Sequence, residues 1–333
     1  MTNPLTSLLP GTTQVFSQLY ADLSSFSRDD VVRGVLGTVY GGLPPLPTPA
    51  RLGEPNQYEK LEHVWTPTGK LDPSPGWFDV YGDMRVHYEI PYLAIAGYLA
   101  VITVVPLLMR GRQPFGLERL LFVWNALLAG LSMAGTVLVL QDAYAFREQG
   151  HSLLANLCSS NEWFASPWVM LFCASKFAEL LDTVFLVLRK RPVIFLHWYH
   201  HIATLLYCWD ALSHFANVSA IFCIMNLAIH SIMYLYYCLM TVPALKTRIP
   251  AAVSKLITLL QITQMVGGLA FLLLAAEHCP LSYLGDPFRQ RLNLAAGLIM
   301  YISYFVLFVH LFLSRSSRSP RLASQSSPST PKI

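Results

Sequence analysis

The stretch His197-Trp198-Tyr199-His200-His201 stands at the head of the otherwise apolar run Val193–Trp209, and its reading decides the fold. On a helix, at 100° per residue, the three histidines fall within about 100° of arc and share one face. Ionisable groups inside a membrane span are costly, and they line a cavity or pathway rather than meet lipid. A purely structural alternative is a set of buried histidines hydrogen-bonded to neighbouring helices. A single histidine would serve that purpose at lower cost.

The surrounding composition agrees with a membrane setting. The chain of 333 residues is 54% hydrophobic and 13% charged, with mean hydropathy +0.45. That is the balance of a polytopic membrane protein, not a soluble enzyme. A span needs about 20 mostly apolar residues. Seven segments qualify: Pro91–Met109, Leu120–Leu140, Pro167–Leu188, Val193–Trp209, His214–Met240, Leu256–Ala276 and Leu292–Leu313. The expected fold is therefore all-α, a seven-transmembrane helix bundle enclosing a chamber. Residues 1–90 read as an N-terminal lumenal extension, 91–313 as the seven-helix domain, and 314–333 as a disordered cytosolic tail rich in Ser, Pro and Arg. In the extension, the apolar patch Val31–Leu46 is broken by Gly41, Gly42, Pro44, Pro45 and Pro47, so it reads as a loop or a surface-lying segment. No basic-then-apolar signal peptide opens the chain.

Charge orients the bundle. Arg110, Arg112 and Arg119 follow the first span, and Arg189, Lys190 and Arg191 follow the third. Lys246, Arg248 and Lys255 follow the fifth; Arg315, Arg318, Arg321 and Lys332 follow the seventh. The alternate loops carry Asp142, Glu148 and Glu162, then Glu277 and Asp286. The positive-inside rule then puts the N-terminus in a lumen and the C-terminus in cytosol. Of six cysteines, Cys173, Cys208, Cys223 and Cys238 lie in apolar spans and read as small packing residues. Cys158 and Cys279 lie in two loops on the expected lumenal side, where a disulfide between them can form.

Further polar residues fall at one depth. The third span carries Lys176, Glu179 and Asp182 on roughly 120° of one face, with Arg189 continuing it. Such charges should point inward and pair partly with each other, and a neutralised Lys176–Glu179 brace is the plain structural reading. The fifth span carries Asn226, His230, Tyr234 and Tyr237; the sixth carries Thr258, Gln261 and Gln264. Tyr301, Ser303 and Tyr304 of the seventh read more weakly, since tyrosine also marks membrane interfaces. With a rise of 1.5 Å per residue, Asp182, the histidine box, His230, Gln261 and Gln264 all lie in the cytosolic half of the bilayer. They can meet in one chamber with a basic mouth and an apolar blind end, a shape suited to an amphiphile with an anionic head and an alkyl tail.

Four motifs in order carry a resemblance. Lys176-Phe177-Ala178-Glu179-Leu180-Leu181-Asp182-Thr183, the histidine box, Asn226 through Tyr237, and Thr258-Leu259-Leu260-Gln261-Ile262-Thr263-Gln264 together resemble the ELO family of very-long-chain fatty acid elongases, over residues of about 90 to 313. The resemblance implies a seven-helix endoplasmic-reticulum enzyme that works beside the other enzymes of the elongation cycle, and homo-oligomers are possible. It condenses acyl-CoA with malonyl-CoA to 3-oxoacyl-CoA, CO2 and CoA, without a cofactor or metal. The Trp198 form of the box resembles members that act on saturated and monounsaturated chains. The ending Pro331-Lys332-Ile333 lacks the dilysine signal many members carry.

Physical roles for this reaction follow. His200 is the expected nucleophile, carrying the acyl group as an acyl-imidazole between two half-reactions, because no cysteine occupies a motif position. Direct attack on bound acyl-CoA, with histidines only as acids and bases, is the alternative. His197 and His201 accompany His200. His230 is expected to handle the malonyl half-reaction, with Asn226, Gln261, Gln264 and Tyr234 as donors to the enolate. Asp182 is expected to fix a histidine tautomer. Lys176 and Glu179 face the substrate on this reading, and Arg189, Lys190, Arg191, Arg248 and Lys255 hold the CoA phosphates at the rim. The acyl tail is expected to run toward Tyr207, Trp209 and Phe215.

Two other classes fit less well. A histidine-box di-iron desaturase or hydroxylase must fill two coordination spheres with imidazoles. Only His197, His200, His201 and His230 of the ten histidines fall in the expected chamber. A seven-helix receptor has no need of Lys, Glu, Asp and four His converging near the cytosolic face. A transporter would show inverted repeats or broken helices, and neither is visible.

Overall fold

The computed structural model describes residue 84 and residues 87–148, 167–213, 216, 218–279 and 287–324. These form eight helices: α1 Glu89–Leu108, α2 Glu118–Glu148, α3 Pro167–Leu188, α4 Phe195–Ser213, α5 Ser219–Met240, α6 Pro243–Lys246, α7 Ala251–His278 and α8 Pro287–Ser324. Three of them, α3, α6 and α8, open on proline, whose fixed φ suits the first helical position and whose missing N–H costs nothing there. The expected patch Val31–Leu46 and the remainder of residues 1–83 lie outside the described residues.

Helices α1, α2, α5, α7 and α8 contain stretches long and apolar enough to cross a membrane. Their outward side chains are apolar: Leu93, Val123, Leu256, Ile299 and Val306 are all exposed. Lys176, Glu179, His201 and His230 are buried inside, the reverse of a soluble protein's distribution. The two remaining long helices, α3 and α4, carry the ionisable residues of the KFAELLDT and histidine-box motifs.

Packing joins the helices in a closed circuit, α2–α3–α4–α8–α7–α5 and back to α2, with α1 laid on α3 and α4. One close approach depends on a glycine. A Cβ on Gly268 of α7 would run into the Tyr301 ring of α8, so any side chain there would push the two helices apart.

Several boundaries differ from the sequence reading. The fifth helix begins at Ser219, not His214: Val218 takes a left-handed conformation (φ 69°) at its N-cap, while His214, Phe215 and Asn217 lie outside the described residues. The eighth helix runs past Leu313 to Ser324, through a segment read as disordered tail, since a helix need not stop where its apolar face does. Residues 84–90 were assigned to the extension, yet Met84 and Tyr88 are buried in a core cluster with Val169, Trp209 and Leu212. Trp209 Nε1 donates to the Met84 carbonyl at 3.0 Å, and the Tyr88 hydroxyl donates to Asp210 at 2.8 Å. Burial, and then the Asp210 carboxylate, push the Tyr88 phenol up, so it stays a donor.

At the C-terminal end of α3, Lys190 adopts φ 54°. The Arg191 N–H reaches the Leu186 carbonyl at 2.8 Å and the Lys190 N–H reaches that of Val187 at 2.9 Å, the two bonds of a Schellman cap. A lysine where glycine is usual puts a positive charge at the negative end of the helix. Cys279, just after α7, is disulfide-bonded, while Cys173, Cys208, Cys223 and Cys238 are free. Its expected partner Cys158 lies outside the described residues. Peptide mapping of alkylated, unreduced protein should yield one Cys158–Cys279 cross-linked peptide; two separately alkylated thiols would refute the pairing.

Candidate active site

The third and fifth helices meet through a buried polar chain. Lys176 and Glu179 are 2% and 3% exposed, and Lys176 Nζ donates to Glu179 Oε1 at 2.6 Å. The same Nζ donates to Asn226 Oδ1 at 2.8 Å and lies 4.3 Å from the Phe172 ring centroid. Lysine is only a donor, so the Asn226 atom facing it must be the carbonyl oxygen. The amide nitrogen then faces His230 Nε2, 3.2 Å away. In the neutral ring Nε2 is therefore the acceptor and Nδ1 carries the proton. Nδ1 lies 3.7 Å from Glu179 Oε1, too far for a hydrogen bond but close enough for charge to orient the ring. The other carboxylate oxygen, Glu179 Oε2, is buried with no hydrogen-bond partner among the described residues.

The histidine box faces this chain from α4. The His200 ring centroid lies 6.4 Å from that of His230, 5.5 Å from His201 and 5.1 Å from Tyr304. His197 and His201 stack edge to face at 4.6 Å. His197 Nε2 lies 2.8 Å from Thr183 Oγ1, which in turn lies 2.8 Å from the Tyr98 hydroxyl. Tyr304 donates to the His200 carbonyl at 3.1 Å and bonds Thr204 at 2.9 Å, tying α8 to the box.

A cavity of about 60 Å3 opens at His200. One water centre needs only roughly 10–15 Å3. Thr204, Asn226, Gln264 and Tyr304 share its polar end with His200; Val169, Phe172, Leu212, Phe222 and Met300 line the rest. From His200 to Leu212 it follows about 18 Å of α4, at 1.5 Å per residue.

Several expected roles change. Among the described residues Asp182 bonds no histidine. Its carboxylate accepts from Trp124 Nε1 and from the Tyr234 hydroxyl, each at 2.7 Å, because it lies at the edge of the α3 stripe, turned toward α2 and α5. Thr183, one residue on, stands seven after Lys176 and four after Glu179 and meets the box instead. Tyr234 is accordingly spent on Asp182. Lys176 and Glu179 do not line the cavity: they pair with each other and hold Asn226. The two glutamines diverge, with Gln264 on the cavity and Gln261 donating to Met233 Sδ at 3.5 Å. Arg189 pairs loosely with Glu118 at 3.6 Å, and Lys255 is half-buried near the start of α7, away from the cavity lining. Of the residues expected along the tail, Tyr207 lines the cavity, Trp209 packs against Phe177 on another side, and Phe215 lies outside the described residues.

Sequence alone gives no role to Thr183, Tyr98, Trp124 or Thr204, and Tyr304 reads only weakly there because tyrosine also marks membrane interfaces. Thr183 sits in the KFAELLDT motif at helical spacing from Lys176, a signal that could have marked it. Tyr98 and Trp124 stand alone in apolar spans and carried no such signal.

Known proteins are similar across this same region. The GNS1/SUR4 (ELO) family model matches residues 84–323, which starts at the buried Met84. The chain is 35% identical over 268 residues to fatty acid elongase 3 of Trypanosoma cruzi, covering 72% of this chain and 88% of that one. It is 36% identical over 239 residues to a very long chain fatty acid elongase 4 of the same organism, covering 71% and 80%. It is also 36% identical over 218 residues to very long chain fatty acid elongase 6 of Drosophila melanogaster, covering 65% and 68%. A match that takes in every helix of the bundle, together with relatives this similar over most of their own length, makes the chain a member of the ELO (GNS1/SUR4) family.

Proposed function

We propose that the chain catalyses the condensing step of fatty acid elongation through an acyl-imidazole on His200. The chain is a fatty acid elongation enzyme with 3-oxoacyl-CoA synthase activity, joining a long-chain acyl-CoA to malonyl-CoA. The observation that carries the mechanism is the position of His200 on a mostly apolar cavity, sharing its wall with Asn226 and with the His230 ring 6.4 Å away.

In the first half-reaction the His200 ring attacks the thioester carbon and the C–S bond breaks. The imidazole proton leaves with the thiolate as CoA-SH. In the second, malonyl-CoA loses CO2 and the resulting enolate carbon attacks the acyl carbon. The His200 C–N bond breaks, and the ring recovers a proton from the medium. Asn226 and Gln264, both on the cavity, supply amide donors where the enolate oxygen develops its charge, and His230 behind Asn226 accepts from its amide nitrogen. The apolar cavity wall receives the acyl tail. Substrates alone suffice, without cofactor or metal.

Helices α3 and α4 also span the membrane on this reading. Their 22 and 19 residues correspond to about 33 and 28 Å, the thickness of the bilayer core. Seven spans then put the N-terminus in the lumen of the endoplasmic reticulum and the basic ends of α3 and α8 in cytosol, where Arg189, Lys190, Arg191, Arg248 and Lys255 meet the CoA phosphates. The bundle is the catalytic domain, residues 91–313 with the 84–90 segment seated on it, and the other enzymes of the cycle act on its product.

Purified protein given labelled malonyl-CoA and a long-chain acyl-CoA should form a product two carbons longer, and strong chelation should leave the rate unchanged. Loss of activity together with stoichiometric iron or zinc would favour a histidine-ligated metal enzyme. No incorporation at all would favour a receptor.

A further inference from the structure

Tyr207 lies two turns beyond His200 on α4, at about the same angle around the helix, so both side chains line the cavity. The separation along the axis is about 10 Å. The phenol tip occupies a niche that exists because residue 297 on α8 is glycine. A Cβ there would come within 2.7 Å of the Tyr207 hydroxyl and 3.2 Å of Leu272 Cδ2. Leu272 is fully buried and has no room to retreat, so a methyl group at 297 must move the tyrosine. The hydroxyl makes no hydrogen bond among the described residues, and the nearest aromatic neighbour, Phe222, stands 6.4 Å away between ring centroids. Among the described residues nothing polar anchors the ring, which packs against the buried α5–α7–α8 cluster with its tip in the niche. With Tyr207 in its niche, the cavity continues past it to Ala211 and Leu212.

We propose that Tyr207, seated against Gly297, is a specificity-determining residue that sets how long an acyl tail the cavity admits. In the niche it leaves the passage open, and out of the niche it closes the passage about 10 Å beyond the nucleophile. This rests on the condensation reading above, in which the tail occupies this cavity.

The test is the chain-length profile of the purified, full-length enzyme on a series of saturated acyl-CoAs with labelled malonyl-CoA. Gly297→Ala should retain turnover of short acyl-CoAs. Its long-to-short rate ratio should fall by about tenfold, the discrimination an apolar pocket exerts over one or two methylenes. Tyr207→Ala should move the limit the other way, and Gly297→Ala combined with Tyr207→Ala should match Tyr207→Ala alone. Gly297→Ala with Tyr207→Phe, which lacks the atom at the closest approach, should recover part of the lost length. An unchanged profile in Gly297→Ala would overturn the proposal, as would a double variant that keeps the Gly297→Ala profile. If Gly297→Ala does not fold, Tyr207→Ala alone decides: longer products support the proposal, and an unchanged limit ends it. No incorporation by the unsubstituted enzyme would overturn the condensation reading, and the gauge with it.

Discussion

Lys176→Met is expected to destabilise the folded enzyme by about 3–5 kcal/mol, the cost of leaving one partner of a buried ion pair behind. Among the described residues Glu179 would keep only a long contact from Ser175, 3.3 Å, and the distant His230 ring. Its Oε2 already lacks a partner among the described residues. The contact of Lys176 with the Phe172 ring adds at most about 2 kcal/mol, so the stranded carboxylate dominates. Replacing both residues, Lys176→Met with Glu179→Met, should restore most of the stability, since an apolar pair of similar volume costs little. It should not restore activity, because Asn226 loses the donor that sets its orientation. Thermal unfolding of detergent-purified protein checks the first statement and labelled malonyl incorporation the second. An unchanged midpoint for Lys176→Met, or full elongation by the double variant, would contradict the role given to this pair.

The second large effect is expected at His230. His230→Ala should lower overall condensation by roughly 10²–10⁴-fold, the usual contribution of a positioned acid or base. CoA release from acyl-CoA alone should persist, because His200 stands on a different helix and at the cavity wall. Equal loss of both half-reactions would remove the division of labour between the two histidines.

Much of this site was legible in the sequence because membrane helices expose their function as polar residues in the wrong solvent. The stripe on α3, the box on α4 and the Asn226–His230 pair on α5 all follow from helical spacing, and all converge in the structure. Periodicity names a face but not what stands opposite it. Asp182 and Thr183 differ by only 100° on the helix, yet one meets Trp124 and Tyr234 while the other meets His197. Trp209 has the apolar character of a tail contact but turns to Met84 and Phe177. Lys176 and Glu179 read in sequence both as a neutralised brace and as substrate contacts, and the 2.6 Å contact, with neither residue on the cavity wall, favours the brace. The Gly297 niche had no sequence signal, since it depends on which tyrosine of α4 lies beside α8.

The central claim is that His200 carries the acyl group. It is tested most directly by incubating purified enzyme with a long-chain acyl-CoA in the absence of malonyl-CoA, then measuring released CoA and mapping the acylated peptide by mass spectrometry. The account predicts up to one CoA released per active site and acylation on the His200 ring, both lost in His200→Ala. Acylation that persists in His200→Ala or falls on a cysteine would contradict it, as would full elongation activity in that variant.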